Sequence, residues 1–295
     1  MTLLKRRTFL TLAGVAASAS LVGNSNAEAS VVTRPDGNGL LIDLTLCIGC
    51  RGCEAACAEA NGLPAPVDDP NIDKVRRTTS EVARVVVNHN DTSKGEVFAR
   101  QQCMHCVDPA CTSACLTKAL YKTPEGPVIW RESKCMGCRF CMVACPFDVP
   151  KFEFHSAVPR IEKCEMCFSR QQKGQKPACV ESCPAEAVIV GKRSELLEIA
   201  KKRIYGTPGK YVSHIYGERE AGGTSVLYIS PVPFSELGFR TGLDETPYPE
   251  NQRNFLTAVP VVLTLWPAFL MALRSSTQSR VVVPPESETG ADEEV

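Results

Sequence analysis

Residues 255–273 contain no charged side chain, and Arg253 and Arg274 bracket them. At about 1.5 Å per residue, a helix of that length just crosses a hydrocarbon core of roughly 30 Å. The pattern predicts one C-terminal membrane anchor. Pro260 and Pro267 interrupt it; both are tolerated where a neighbouring helix satisfies the freed carbonyls, so the anchor is expected to pack on a partner. The competing reading is a buried helix of a soluble domain, since two prolines weaken any helix. A second, weakly apolar stretch at residues 12–22 follows Lys5, Arg6 and Arg7 and precedes the small-x-small site Ser25-Asn26-Ala27. It predicts a signal peptide over residues 1–27.

Between these ends the apolar runs are short. Residues 119–122 and 128–130 flank the turn Thr123-Pro124-Glu125-Gly126 and predict a hairpin. Residues 58–102 form a long insertion, loop-like through Pro64, Pro66 and Pro70, then strand-like at 82–87 and 97–99. Such an insertion is expected to build an outer face that meets another subunit. Residues 187–190 and 226–229 read as strands, and Ser194 is expected to cap a helix with Leu196, Leu197 and Ala200 on one side. Residues 211–239 hold no catalytic constellation. Short strands mixed with short helices indicate an α+β fold.

The 33 basic and 33 acidic side chains cancel, so no basic field attracts nucleic acid, and partners must be found by shape. Chemistry resides in the sixteen cysteines. They form four quartets: Cys47, Cys50, Cys53 and Cys57; Cys103, Cys106, Cys111 and Cys115; Cys135, Cys138, Cys141 and Cys145; and Cys164, Cys167, Cys179 and Cys183. The first and third share the spacing C-x2-C-x2-C-x3-C, the other two widen the middle gap, and all end C-x3-C.

Three thiolates within seven residues wrap a loop around three corners of an iron-sulfur cube, with Gly49, Gly52 and Gly137 letting backbone amides approach the sulfides. The fourth cysteine points toward a second cluster. Zinc sites pair two C-x2-C units and leave no place for a third cysteine so near. A disulfide framework suits a small domain without a core, not 295 residues rich in Val, Ile and Leu. Four quartets therefore imply four [4Fe-4S] clusters as cofactors.

Such clusters are assembled in a reducing cytoplasm, so an exported protein carrying them must cross the membrane folded. That requirement reads Arg6-Arg7 as a twin-arginine signal rather than an ordinary basic n-region. The cluster domain is then expected on the periplasmic side of the inner membrane. Residues 274–295, ending in Glu286, Glu288, Asp292, Glu293 and Glu294, are expected to be a disordered cytoplasmic tail.

Quartet, hairpin, quartet is the arrangement of a bacterial two-cluster ferredoxin, and the first and fourth quartets supply a second such module by elimination. The fold class is thus α+β: two interlocked ferredoxin-like modules over residues 40–203, an extension over 204–253, and a transmembrane helix. The segments Gln102-Cys103-Met104-His105-Cys106-Val107-Asp108-Pro109, Cys138-Arg139-Phe140-Cys141, Cys145-Pro146-Phe147-Asp148, Lys163-Cys164-Glu165-Met166-Cys167 and Gly222-Gly223-Thr224 carry a resemblance. They resemble the four-cluster electron-transfer subunits of membrane-bound respiratory oxidoreductases. The similarity is strongest to the iron-sulfur subunit of the quinone-linked periplasmic nickel-iron hydrogenase (hydrogenase-2 type), then to the formate dehydrogenase beta subunit.

The resemblance implies a non-catalytic wire between a catalytic partner (a nickel-iron hydrogenase or molybdopterin enzyme) and an integral membrane quinone-reactive or cytochrome b subunit. A terminal reductase of dimethyl sulfoxide or polysulfide type, or an autonomous ferredoxin, remains the alternative. In two-cluster ferredoxins the fourth cysteine of one motif ligates the cluster of the other. The hairpin then assigns Cys103, Cys106, Cys111 and Cys145 to one cluster, and Cys135, Cys138, Cys141 and Cys115 to another. Elimination and the resemblance together assign Cys47, Cys50, Cys53 and Cys183 to a third, and Cys164, Cys167, Cys179 and Cys57 to a fourth. Leu116 stands after Cys115 where proline is usual, which is expected to loosen that turn. His105 is expected to modulate cluster hydrogen bonding or lie on the surface rather than to act as ligand or base.

Replacing Arg6 and Arg7 by lysine is expected to strand the protein in the cytoplasm with its clusters intact. Cell fractionation checks this, and normal periplasmic delivery of the double variant would contradict it.

Overall fold

The computed structural model describes residues 36–67, 69 and 71–278. The expected signal peptide, residues 1–27, and the tail beyond 278 lie outside them. Its central element is β1 (Asn38–Asp43), the middle strand of a three-stranded sheet. β8 (Val188–Lys192) pairs antiparallel with it and β9 (Val226–Ile229) parallel.

Both faces of this sheet are covered, so Leu40, Leu41 and Ile42 are all buried and β1 shows no alternation. Leu40 and Ile42 face an aromatic core that includes Tyr216, Tyr228 and Phe234. Leu41 faces α6 (Arg193–Gly206) through Leu196, Ala200 and Ile204. The carboxylate of Asp43 closes the strand, accepting from Thr45 N (3.0 Å), Arg203 Nη1 (2.9 Å) and Tyr211 Oη (2.9 Å).

The other pairs are two-stranded: β2 (Val86–Thr92) with β3 (Gly95–Gln101), β4 (Leu120–Lys122) with β5 (Val128–Trp130), and β6 (Lys151–Phe152) with β7 (Ile161–Glu162). Short helices follow the cysteine loops: α1 (Gly52–Asn61), α2 (Ala110–Ser113), α3 (Phe140–Ala144), α4 (Phe168–Gln171) and α5 (Ala178–Glu181).

Several expectations are corrected. β2 begins at Val86, because residues 82–85 form an irregular approach with Val82 exposed. The insertion is more than an outer face: Val97 and Ala99 enter the aromatic core, and buried Glu54 of α1 grips it through Arg77 (2.6 Å) and Val87 N (2.6 Å). Ser194 does not cap α6. Asp36, distant in sequence, accepts from Ser194 N at 3.1 Å instead.

Helix α7 (Tyr248–Gln278) runs through Pro260 and Pro267. Its segment Ala258–Thr277 is long and apolar enough to cross a membrane and none of it is buried, which argues against a core helix. Residues 274–278 belong to this helix rather than to an irregular tail.

A Cβ on Gly39 would collide with the Ser225 carbonyl oxygen, whereas one on Gly206, at the end of α6, meets nothing within 4 Å. Gly39→Ala is therefore expected to destabilise by about 1–3 kcal/mol, and Gly206→Ala to be neutral or to stabilise by up to about 1 kcal/mol. Thermal unfolding of the anaerobic holoprotein ranks the two, and equal midpoints would contradict the close packing of β1 on the Ser225 backbone.

Candidate metal centre

Strand register brings distant cysteines together. Ile42 of β1 pairs with Val188 of β8; Cys47 follows the first by five residues and Cys183 precedes the second by five. Leu120 of β4 pairs with Trp130 of β5, and here Cys115 and Cys135 stand five residues outward in the same way. The helices repeat the relation: α1, bearing Cys53 and Cys57, packs on α5, bearing Cys179, as α2 with Cys111 packs on α3 with Cys141.

The loops repeat as well. Gly49 and Gly137 both take φ near 71°, and the arginines two residues on, Arg51 and Arg139, take φ of 56° and 60°. Glycine is needed at the first two positions; Gly52 merely opens α1 with an ordinary φ. After three of the fourth cysteines the chain makes one turn, with a left-handed residue three positions on whose N–H bonds back to the cysteine carbonyl: Lys118 (3.0 Å), Asp148 (3.2 Å) and Glu186 (3.2 Å). Leu116 therefore leaves the turn as tight as Pro146 and Pro184 do, contrary to expectation. Cys57 differs, staying inside α1, where Asn61 Nδ2 bonds its carbonyl at 2.7 Å.

The thiols gather in four groups. One cavity is lined by Cys47, Cys50, Cys53 and Cys183, and another by Cys57, Cys164, Cys167 and Cys179. Cys106 feels the charges of Cys145, Cys111 and Cys103, and Cys141 those of Cys115, Cys135 and Cys138. Each group thus takes its fourth thiol from another quartet. The groups also form a file: Cys53 and Cys57 both face Cys179, Cys164 and Cys103 share one apolar cluster, and Cys111 and Cys141 share another. Exposed Cys50 and Cys138 stand at its two ends.

Burial pushes the Cys53 thiol up to about 11 and the Cys57 and Cys141 thiols to about 12, with neighbouring thiols adding to the effect. Such sites stay protonated without a cation and hold thiolates only around a metal, and an all-sulfur donor set fits iron-sulfur clusters. Backbone donors to sulfur are in place, from Ala119 N to Cys115 Sγ at 3.1 Å and from Met166 N to Cys164 Sγ at 3.3 Å.

His105 is fully buried, not on the surface. Its Nδ1 accepts from Val128 N at 2.9 Å, which leaves the proton on Nε2, and burial holds the ring's pKa well below the usual range. Its carbonyl accepts from Lys122 Nζ (2.9 Å) and Ser225 N (3.1 Å), while Cys106 bridges to Thr224. The extension after residue 204 thus clamps the second cysteine loop. The sequence reading passed over three cations beside the thiols: the buried Arg100 and Lys163 and the half-buried Lys122. Lys163 Nζ donates to the Val128 and Cys164 carbonyls, so it ties β5 to the fourth quartet. Only their closeness to cysteines in sequence hinted at them, and Lys122 lacked even that.

Residues 95–193 match the model of the 4Fe-4S dicluster domain. A protein of Nitratidesulfovibrio vulgaris is 45% identical over 298 residues, covering 97% of this chain and 80% of that one. The hydrogenase-2 operon protein HybA of Escherichia coli O157:H7 is 37% identical over 79% of this chain and 83% of its own. The iron-sulfur subunit of nitrate-inducible formate dehydrogenase from Escherichia coli K12 is 33% identical over 64% and 66%. With its sixteen cysteines in four groups, the chain belongs to the 4Fe-4S dicluster family of iron-sulfur electron-transfer subunits that includes HybA and the formate dehydrogenase iron-sulfur subunits.

Proposed function

We propose that the chain relays single electrons through four [4Fe-4S] clusters between a periplasmic catalytic subunit, a hydrogenase or formate dehydrogenase, and a quinone-reactive membrane subunit. The observation that carries this reading is the continuous file of four thiol groups, exposed only at its ends. The clusters, when bound, supply the one-electron couples; the chain buries three of the four thiols in each central group, with Cys167 and Cys145 half-buried, and leaves one ligand of each outer group exposed. The names of the relatives favour hydrogenase or formate dehydrogenase as the parent enzyme.

The ligand sets follow the gathered thiols: Cys47, Cys50, Cys53 and Cys183; Cys57, Cys164, Cys167 and Cys179; Cys103, Cys106, Cys111 and Cys145; Cys115, Cys135, Cys138 and Cys141. Around Cys138 lie the exposed apolar side chains Leu116 (81% exposed), Met136, Phe140, Val143 and Phe154. That surface suits a protein partner receiving or giving electrons at this end. The unburied helix α7 supports membrane attachment, and Arg6-Arg7 supports twin-arginine export.

The anaerobically purified protein is expected to hold about sixteen iron atoms. Cys115→Ser is expected to perturb the electron paramagnetic resonance signal that Cys135→Ser perturbs and to spare the one altered by Cys103→Ser. The opposite pairing would show that each quartet holds its own cluster, and iron of about twelve atoms, or of about fifteen with a three-iron signal in the native protein, would remove one cube.

A further inference from the structure

The arginine at position 100 has no carboxylate partner among the described residues. It lies on β3 opposite Val87, and its side chain is only 1% exposed. Nη2 donates to Gln102 Oε1, while Nε and Nη1 are buried without any hydrogen-bond partner. A permanently charged guanidinium in such a place demands an anion, because a buried cation without one is strongly destabilising.

The anions at hand are thiolates. Arg100 lines the cavity of Cys47, Cys50, Cys53 and Cys183. It also acts on the thiols of Cys57, Cys167 and Cys179 in the neighbouring group. The third group has its own cations, since Lys122 acts on Cys106 and Lys163 on Cys111. Arg100 therefore stands between the first two groups of the file and serves both.

We propose that Arg100 is a positioning residue shared by two clusters, its free Nε–H and Nη1–H groups directed to sulfur of both and raising their reduction potentials together. The inference rests on the ligand sets proposed above. Reduction adds one negative charge to a cluster already surrounded by thiolates, so a fixed cation and N–H donors favour the reduced form. The planar fork matters because one guanidinium presents donors in two directions, whereas an ammonium on a flexible stem is a point charge.

The test is redox-poised electron paramagnetic resonance on the full-length, cluster-loaded protein, with signals assigned from the cysteine variants. In Arg100→Gln the reduced-to-oxidised ratio of the two clusters served by Arg100 is expected to fall at least tenfold at fixed potential, a shift of about 59 mV for a one-electron couple. The other two clusters are expected to stay within twofold, and Arg100→Lys to give a smaller shift. No shift, or an equal shift of all four signals, would overturn the proposal. Should Arg100→Gln fail to assemble, protein labelled with 15N in the arginine guanidino groups supplies a second readout. Pulsed resonance is expected to show nitrogen coupling on those two reduced clusters that disappears in Arg100→Lys, and the lack of such coupling in the unsubstituted protein would overturn it. Iron content and the number of signals report separately on the ligand sets.

Discussion

Antiparallel register is the constraint on which the cysteine constellation depends. Two strand pairs, β1 with β8 and β4 with β5, each carry a fourth cysteine and a first cysteine five residues beyond paired positions. A slip of one residue in either pair would turn the buried side chains outward and pull the two thiols out of step. β1 is held against such a slip on both faces, by the aromatic core on one side and α6 on the other, with Gly39 letting the Ser225 backbone approach. The extension that supplies β9 also clamps the second loop through Ser225, Thr224 and Gly223. One sheet therefore governs two cysteine loops that lie far apart in sequence.

Charge balance is the second constraint. Buried thiols resist ionisation, as the upward shifts of Cys53, Cys57 and Cys141 show, so the thiolate state depends on metal and on buried cations together. Arg100 and Lys122 stand where that negative charge accumulates. Elsewhere buried ions are neutralised within the protein: Glu54 by Arg77 and Arg51, and Glu162 by Arg84 at 2.6 Å. The contrast separates ion pairs that hold the insertion in place from cations whose counterions are sulfur. Folding around the clusters and cluster binding are thus two views of one equilibrium, which is consistent with assembly before any transport across a membrane.

Much of this was legible in the chain. The quartets, the hairpin at residues 119–130, the strand at 226–229 and the amphipathic start of α6 all follow local rules and stand where those rules put them. Strand β1 escaped because a three-residue apolar run buried on both faces has no period to read. The left edge of β2 was misjudged for the reverse reason: Val82 and Val85–Val87 look alike in sequence, and only tertiary pairing with β3 excludes the former. Ser194 resembled a cap, but Asp36 supplies the acceptor from far away. Arg100 looked like any charged residue, because burial of a cation beside thiolates leaves no sequence pattern.

The central claim is that four metal clusters lie in one file whose outer members touch Cys50 and Cys138. Anomalous diffraction at the iron edge from anaerobic crystals of the complete protein tests it directly. The account predicts four iron centres in the order set by the gathered thiols, with the density beside Cys183 merging with that of Cys47 and the density beside Cys115 with that of Cys135. Iron centred within each sequence quartet, or a branched arrangement with a central cluster open to solvent, would contradict it.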